Sequence, residues 1–177
     1  MKNIYSFLKK NWDIEIILII TSILFLIIFL PFIRFNSLDK YDTPGLLSLS
    51  WFIKEFRFPD FQGWNPYFAA GFPQGTLYPP LFHYLVALFA HCMSITAAYK
   101  LVVTLAGLFI PASIYFFSKK VFQQKTWAIV TVFFVLIVLL VSPKYLGFSY
   151  GGLLDYELAP NFVTIPLFLS NAIQIDK

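Results

Sequence analysis

The sequence predicts an all-α protein, a polytopic bundle of transmembrane helices with a long outer loop that contains interfacial amphipathic helices. Composition is the first reason. Of 177 residues, 59% are hydrophobic, 20% aromatic and 12% charged, whereas a soluble domain carries roughly a quarter charged residues. A chain this short cannot hide 22 phenylalanines in one core, so lipid must solvate part of it. The second reason is the long apolar runs, and the third is the placing of lysines around them. One cysteine, Cys92, excludes an internal disulfide and reads as a buried apolar residue. The net charge of +4 is spread thinly along the chain, which excludes a nucleic-acid partner.

Residues 14–33 (IEIILIITSILFLIIFLPFI) form the first run. At 1.5 Å per residue they cover about the 30 Å of a hydrocarbon core. Lys2, Lys9 and Lys10 precede them and Arg34 follows. A cleaved signal peptide would have a shorter core and a small-residue cleavage site. The run therefore reads as an uncleaved anchor at 14–34, with a cytoplasmic tail at 1–13.

Two further spans are expected at 99–118 and 126–141, joined by a basic turn at 119–125 that holds Lys119, Lys120 and Lys125. The stretch at 80–94 (PLFHYLVALFAHCMS) is too short to identify by length alone. If it spans, those three lysines fall outside; if it lies at the interface, they share the cytoplasm with Lys2, Lys9 and Lys10. A small or polar stripe at His83, Ala87, Ala90, His91 and Ser94 favours an interfacial helix. The outer loop is then 35–98, the second outer loop 142–160, and 161–177 opens a fourth span that the sequence does not complete. The expectation is the amino-terminal part of a larger multi-pass protein of the cell membrane, with its amino terminus in the cytoplasm.

Within the outer loop, residues 46–56 (LLSLSWFIKEF) place Leu46, Leu49, Phe52, Ile53 and Phe56 at helical spacing, with Lys54 and Glu55 toward water. Asp42 or Thr43 can cap this helix, and Pro44 suits its first turn. Trp64, Tyr67 and Tyr78 stand among turn formers from Gly63 to Pro80, a pattern that suits headgroup depth. Pro111 and Gly107 fall inside the second span, where a proline kink and close helix packing are tolerated.

The order Asp-Thr-Pro-Gly (Asp42 to Gly45), Phe-Pro (Phe58, Pro59), Gly-Trp-Asn-Pro (Gly63 to Pro66), Gly-Phe-Pro (Gly71 to Pro73) and Tyr-Pro-Pro-Leu (Tyr78 to Leu81) resembles the polytopic membrane proteins labelled "6-pyruvoyl-tetrahydropterin synthase-related". These are similar in layout to GT-C glycosyltransferases. The resemblance implies transfer of a sugar from a polyprenyl-phosphate donor at the outer membrane face. It also implies that Asp42 is the general base, that Asp155 and Glu157 are secondary acids, and that the full-length protein could hold a divalent cation. Arg57 and Lys100 would then pair with phosphate, and Trp64 and Tyr78 would stack on the sugar. Where relatives commonly read Asp-x-Pro-Gly-His, this chain has Leu46.

Pterin synthesis itself is excluded. That chemistry needs a cluster of histidine zinc ligands, and the chain has only His83 and His91, eight residues apart on an apolar helix. The alternative to an enzyme is a non-catalytic scaffold whose partners are membrane lipids and subunits that complete the bundle. A small channel or transporter is disfavoured by the lack of ionisable residues in mid-span.

Overall fold

The computed structural model describes residues 2–35, 38, 42–60, 62–68, 70–76, 80–141, 164–165 and 169, with side chains from residue 12 onward. The chain is mostly helical. The described residues include α1 (Lys2–Leu24), α2 (Leu30–Phe35), α3 (Thr43–Phe52), α4 (Pro80–Phe89), α5 (Ile95–Phe122) and α6 (Lys125–Val141), with a small hairpin of β1 (Gly63–Asn65) and β2 (Phe72–Gln74).

α1 and α2 form one continuous rod through a π-helical turn, Phe25–Phe29. A second π-helical turn, Ile53–Arg57, extends α3. Each lies just before a proline, Pro31 and Pro59. Proline removes a donor and crowds the preceding turn, and a wider turn accommodates both effects. The Leu30 N–H accordingly reaches back five residues to the Phe25 carbonyl, and that of Phe58 to Ile53 at 2.7 Å.

Two stretches, Trp12–Phe35 and Ile95–Phe122, are long and apolar enough to cross a bilayer; α4 and α6 are shorter apolar helices. The helix that holds the first stretch runs from Lys2, ahead of the apolar residues that begin at Trp12. α5 likewise starts at Ile95, because Ser94 caps it by accepting from the Ala97 N–H at 3.3 Å. It continues through Lys119 and Lys120 to Phe122, as cations favour a helix carboxy terminus. Gln123 then takes a left-handed conformation with φ 55°, so only two residues separate α5 from α6.

The rod α1–α2 packs antiparallel to α5. Asp13 meets Tyr115 at one end, Phe29 meets Gly107 in the middle, and Lys100 meets Ile33 at the other end. Gly107 is required at that crossing. A β-carbon there would strike the Phe29 ring, which is completely buried. Ile17, Ile20, Leu24, Phe29 and Phe32 are buried, while Leu18, Ile19, Ile23, Leu26 and Ile27 are exposed. Pro111 is buried within α5, which continues past it.

The segment between the two long helices adds a helix-and-hairpin module at the end where α2 finishes and α5 begins. α3 and α4 pack on each other and on α5. The amphipathic reading of α3 meets one change. Leu46, Leu49, Phe52 and Ile53 are buried, but Phe56 is exposed, because the π-helical turn rotates it outward. The small or polar stripe expected at 83–94 divides, since His91 and Ser94 are exposed beyond the end of α4 while its earlier members face inward. His83, Ala87 and Ala90 are buried against the protein and Leu88 is exposed, since α3 and α5 cover that face. Cys92, read as buried, is exposed in the turn after α4.

Candidate functional site

Asp42 occupies the N-cap position of α3. Pro44 fixes the first turn beside it, and the Asp42 carbonyl accepts from the Leu46 N–H at 2.9 Å. Its side chain does not cap the helix, because φ and ψ are −88° and −6° rather than extended. The carboxylate is exposed and makes no hydrogen bond or ion pair with any other described residue. Thr43 next to it is fully buried, and its hydroxyl has no hydrogen-bond partner among the described residues.

Behind Asp42, polar side chains lock α3 to its neighbours. Ser50 donates to the Leu46 carbonyl at 3.0 Å and stands 3.0 Å from His83 Nδ1 on α4. Burial holds His83 neutral by lowering its pKa to about 4, while a hydrogen bond with the Leu46 backbone works in the opposite direction. Position 46 therefore lies against an imidazole supplied by a different helix.

The hairpin is clamped to α3 in the same way. Gln74 donates to the Leu49 carbonyl at 2.7 Å and accepts from the Asn65 amide at 2.8 Å, and the Asn65 oxygen accepts from the Tyr67 N–H at 3.0 Å. The Leu49 carbonyl also accepts from the Ile53 N–H, which is shared between Leu49 and Ser50. Both amide side chains are buried, so each bond replaces lost water.

The candidate ligand-binding residues fall in separate places. Arg57 is exposed, with its guanidinium carbon 5.9 Å from the Phe52 ring centre, and its head lies where a β-carbon on Gly63 would stand. Trp64 is exposed but covers Gly71 across the hairpin. Tyr67 joins Trp51, Phe52 and Phe56 in an aromatic cluster with centroid separations of 5.4 to 6.4 Å. Lys100 donates to the Ile33 carbonyl at 2.9 Å and lines a cavity of about 320 Å³ with Ile33, Thr96, Ala97 and Leu101. No hydrogen bond or ion pair joins Asp42 to Arg57, Trp64 or Lys100. Tyr78, Asp155 and Glu157 lie outside the described residues.

A divalent cation would need several oxygen ligands at once. Among the described residues no three His, Cys, Asp or Glu side chains come together, so these residues do not fit that ion. His91 packs edge-on to Phe58 at 4.5 Å, a contact between the end of the second π-helical turn and the turn that follows α4.

One polar cluster was missed in the sequence. Asp13, 1% exposed, accepts from Tyr115 and pairs with Lys125 at 2.9 Å and Lys119 at 3.4 Å. Its signal was an acid at the head of an apolar run, set against lysines at the end of another.

No family model, curated protein or solved structure matches the chain.

Proposed function

We propose that the chain belongs to a membrane-embedded, GT-C-like glycosyltransferase. In this reading α1–α2, α5 and the shorter α6 cross the bilayer, the helix-and-hairpin module lies at the outer headgroup plane, and Asp42 is the general base. The observation that carries it is the Asp42 carboxylate, which is exposed at a fixed helix start and not used as a cap. Membrane embedding is supported by the first apolar stretch, of which 22% is buried. A soluble protein's core helix would be mostly covered, and an outward row of leucine and isoleucine this long is poorly tolerated in water. The amino terminus is assigned to the cytoplasm because Lys2, Lys9 and Lys10 precede the first span, while Lys119 and Lys125 reach Asp13 at the same end.

The chemistry fits that depth. A polyprenyl tail stays in lipid while its sugar sits among the headgroups. The acceptor oxygen bonds to the sugar's anomeric carbon as the carbon–oxygen bond to the phosphate breaks. The polyprenyl phosphate leaves with the bonding electron pair, and the acceptor proton passes to Asp42. The test is sugar transfer by the full-length protein in vesicles that hold a polyprenyl-phosphate sugar. Asp42→Asn should lower transfer at least about a hundredfold; transfer equal to the parent would remove Asp42 as the base.

A non-catalytic scaffold is the second reading. It is favoured by Leu46, which stands where the family's histidine would be and is buried in the core. Absence of transfer by parent and variant alike, with a co-purifying partner subunit, would select it.

A further inference from the structure

The apolar row of α3 that the sequence offers to lipid is occupied inside the protein, since Leu46, Leu49, Phe52 and Ile53 are all buried. A different set of rings takes the outside. Trp51 on α3, Phe56 on the second π-helical turn and Tyr67 just after β1 are 39%, 52% and 67% exposed, yet each packs against the other two. Trp51 meets Phe56 edge-on at 5.4 Å and Tyr67 at 5.9 Å, and Phe56 stacks on Tyr67 at 5.6 Å. Two features assemble this patch. The π-helical turn rotates Phe56 away from the buried row, and the bond from Gln74 to the Leu49 carbonyl brings the hairpin, with Tyr67, back onto α3. Rings already ordered by one another lose little further side-chain freedom when a partner covers them.

The surroundings point to lipid. The module is tied at both ends to the two apolar stretches, because α2 finishes at Phe35 and α5 starts at Ile95, and both α3 and α4 pack on α5. Wherever those stretches enter a bilayer, the patch is held beside its surface. A contiguous set of exposed rings is poorly tolerated in water, whereas indole and phenol rings, apolar with one polar edge, favour headgroup depth. The charge agrees. Arg57 follows Phe56 in the chain, is exposed, and lies 5.9 Å from the Phe52 ring centre, with no carboxylate partner among the described residues. A cation at the rim of an aromatic patch complements lipid phosphates.

We propose that Trp51, Phe56 and Tyr67 form a docking surface for phospholipid, resting among the headgroups and upper acyl chains of the bilayer that the spans cross. The proposal rests on the membrane embedding read above and not on sugar transfer. It moves the lipid contact of the module from the apolar row of α3 to a surface that α3 and the hairpin share.

Quenching of tryptophan fluorescence by brominated phosphatidylcholine tests it, with the full chain in vesicles. Four tryptophans are present, so one variant keeps Trp51 alone and another keeps Trp127 alone, the rest being replaced by Phe. Bromine placed high in the acyl chains should dim Trp51 about twofold, and iodide in the outer buffer should quench it weakly. Adding Phe56→Ser and Tyr67→Ser, both at exposed positions, should remove most of the bromine quenching and open Trp51 to iodide. Trp127, exposed near the start of α6, reports embedding by itself. Bromine quenching of Trp127 but not of Trp51 would overturn the docking surface and leave the membrane reading standing, whereas quenching of neither would overturn both. Bromine quenching of Trp51 that the Phe56 and Tyr67 substitutions leave unchanged would also overturn the proposal. So would protection of Trp51 from iodide by a co-purifying protein or an added sugar, without bromine quenching.

Discussion

The Tyr115 hydroxyl donates to the Asp13 carboxylate across 102 positions of sequence. Both side chains are buried, and together they fix the start of one apolar helix against the end of another. With Phe29 on Gly107 and Lys100 on Ile33, this contact sets the antiparallel register of the α1–α2 rod and α5. The module that carries Asp42 is built on the far end of that pair.

Removing the phenol should be costly for that reason. Tyr115→Phe keeps the ring and leaves the carboxylate short of one donor, a loss of about 1.5–3 kcal/mol for a bond to a charged group. Denaturant-induced unfolding in mild detergent measures it, and a change below a few tenths of a kcal/mol would show that the bond does not hold the register.

Gly107→Ala tests the middle of the same interface. The added methyl meets the Phe29 ring, and overpacking of this kind costs about 1–3 kcal/mol. Phe29→Leu in the same chain should recover part of the loss in the same unfolding measurement. Additive destabilisation would mean that the two residues do not touch.

The buried imidazole gives the module a pH dependence. His83 binds its proton near pH 4 when folded, but near its ordinary value of 6.5 when unfolded. Between those values the unfolded state holds the extra proton, so stability is full above about pH 6.5 and falls as the pH drops toward 4. Hydrogen exchange of α3 and α4 should accelerate over that window. His83→Gln, which cannot titrate, should flatten the dependence there, and an unchanged profile would assign it to other groups.

Docking of the hairpin rests on Gln74. Gln74→Ala leaves the Asn65 amide without its acceptor and removes a bond to the Leu49 carbonyl, both in buried surroundings. The expected local cost is about 1–3 kcal/mol. Limited proteolysis should then cut within 62–76 while α5 and α6 survive; an unaltered digestion pattern would count against the clamp.

The apolar runs at 14–33 and within α5 and α6 were readable because each is a long, nearly unbroken apolar stretch. The amphipathic pattern of α3 was equally plain. What could not be read were contacts between distant segments. The stripe on α4 looked wet because His83 is polar, yet Ser50 on another helix accommodates it. Phe56 followed the helical period, but the π-helical turn before Pro59 shifted that period. The strands of the hairpin are three residues each and one contains Pro73, so no alternation announces them. Among the candidate site residues, Asp42 was visible as an acid before a proline-led helix. The use of Arg57 and Trp64 to cover glycines was not, because it depends on how the hairpin folds back.

Everything proposed depends on the module and the α5–α6 turn lying on opposite sides of one bilayer. Cysteine accessibility measures this directly, after Cys92→Ser removes the exposed native thiol. Gln62 suits the module side, because it is exposed and the neighbouring Gly63 has no room for a β-carbon beside Arg57. Gln124 suits the turn, because Gln123 is held in the left-handed region. In intact cells a membrane-impermeant maleimide should label Gln62→Cys and spare Gln124→Cys until the membrane is opened. Labelling of both in intact cells, or of Gln124→Cys alone, would contradict the arrangement.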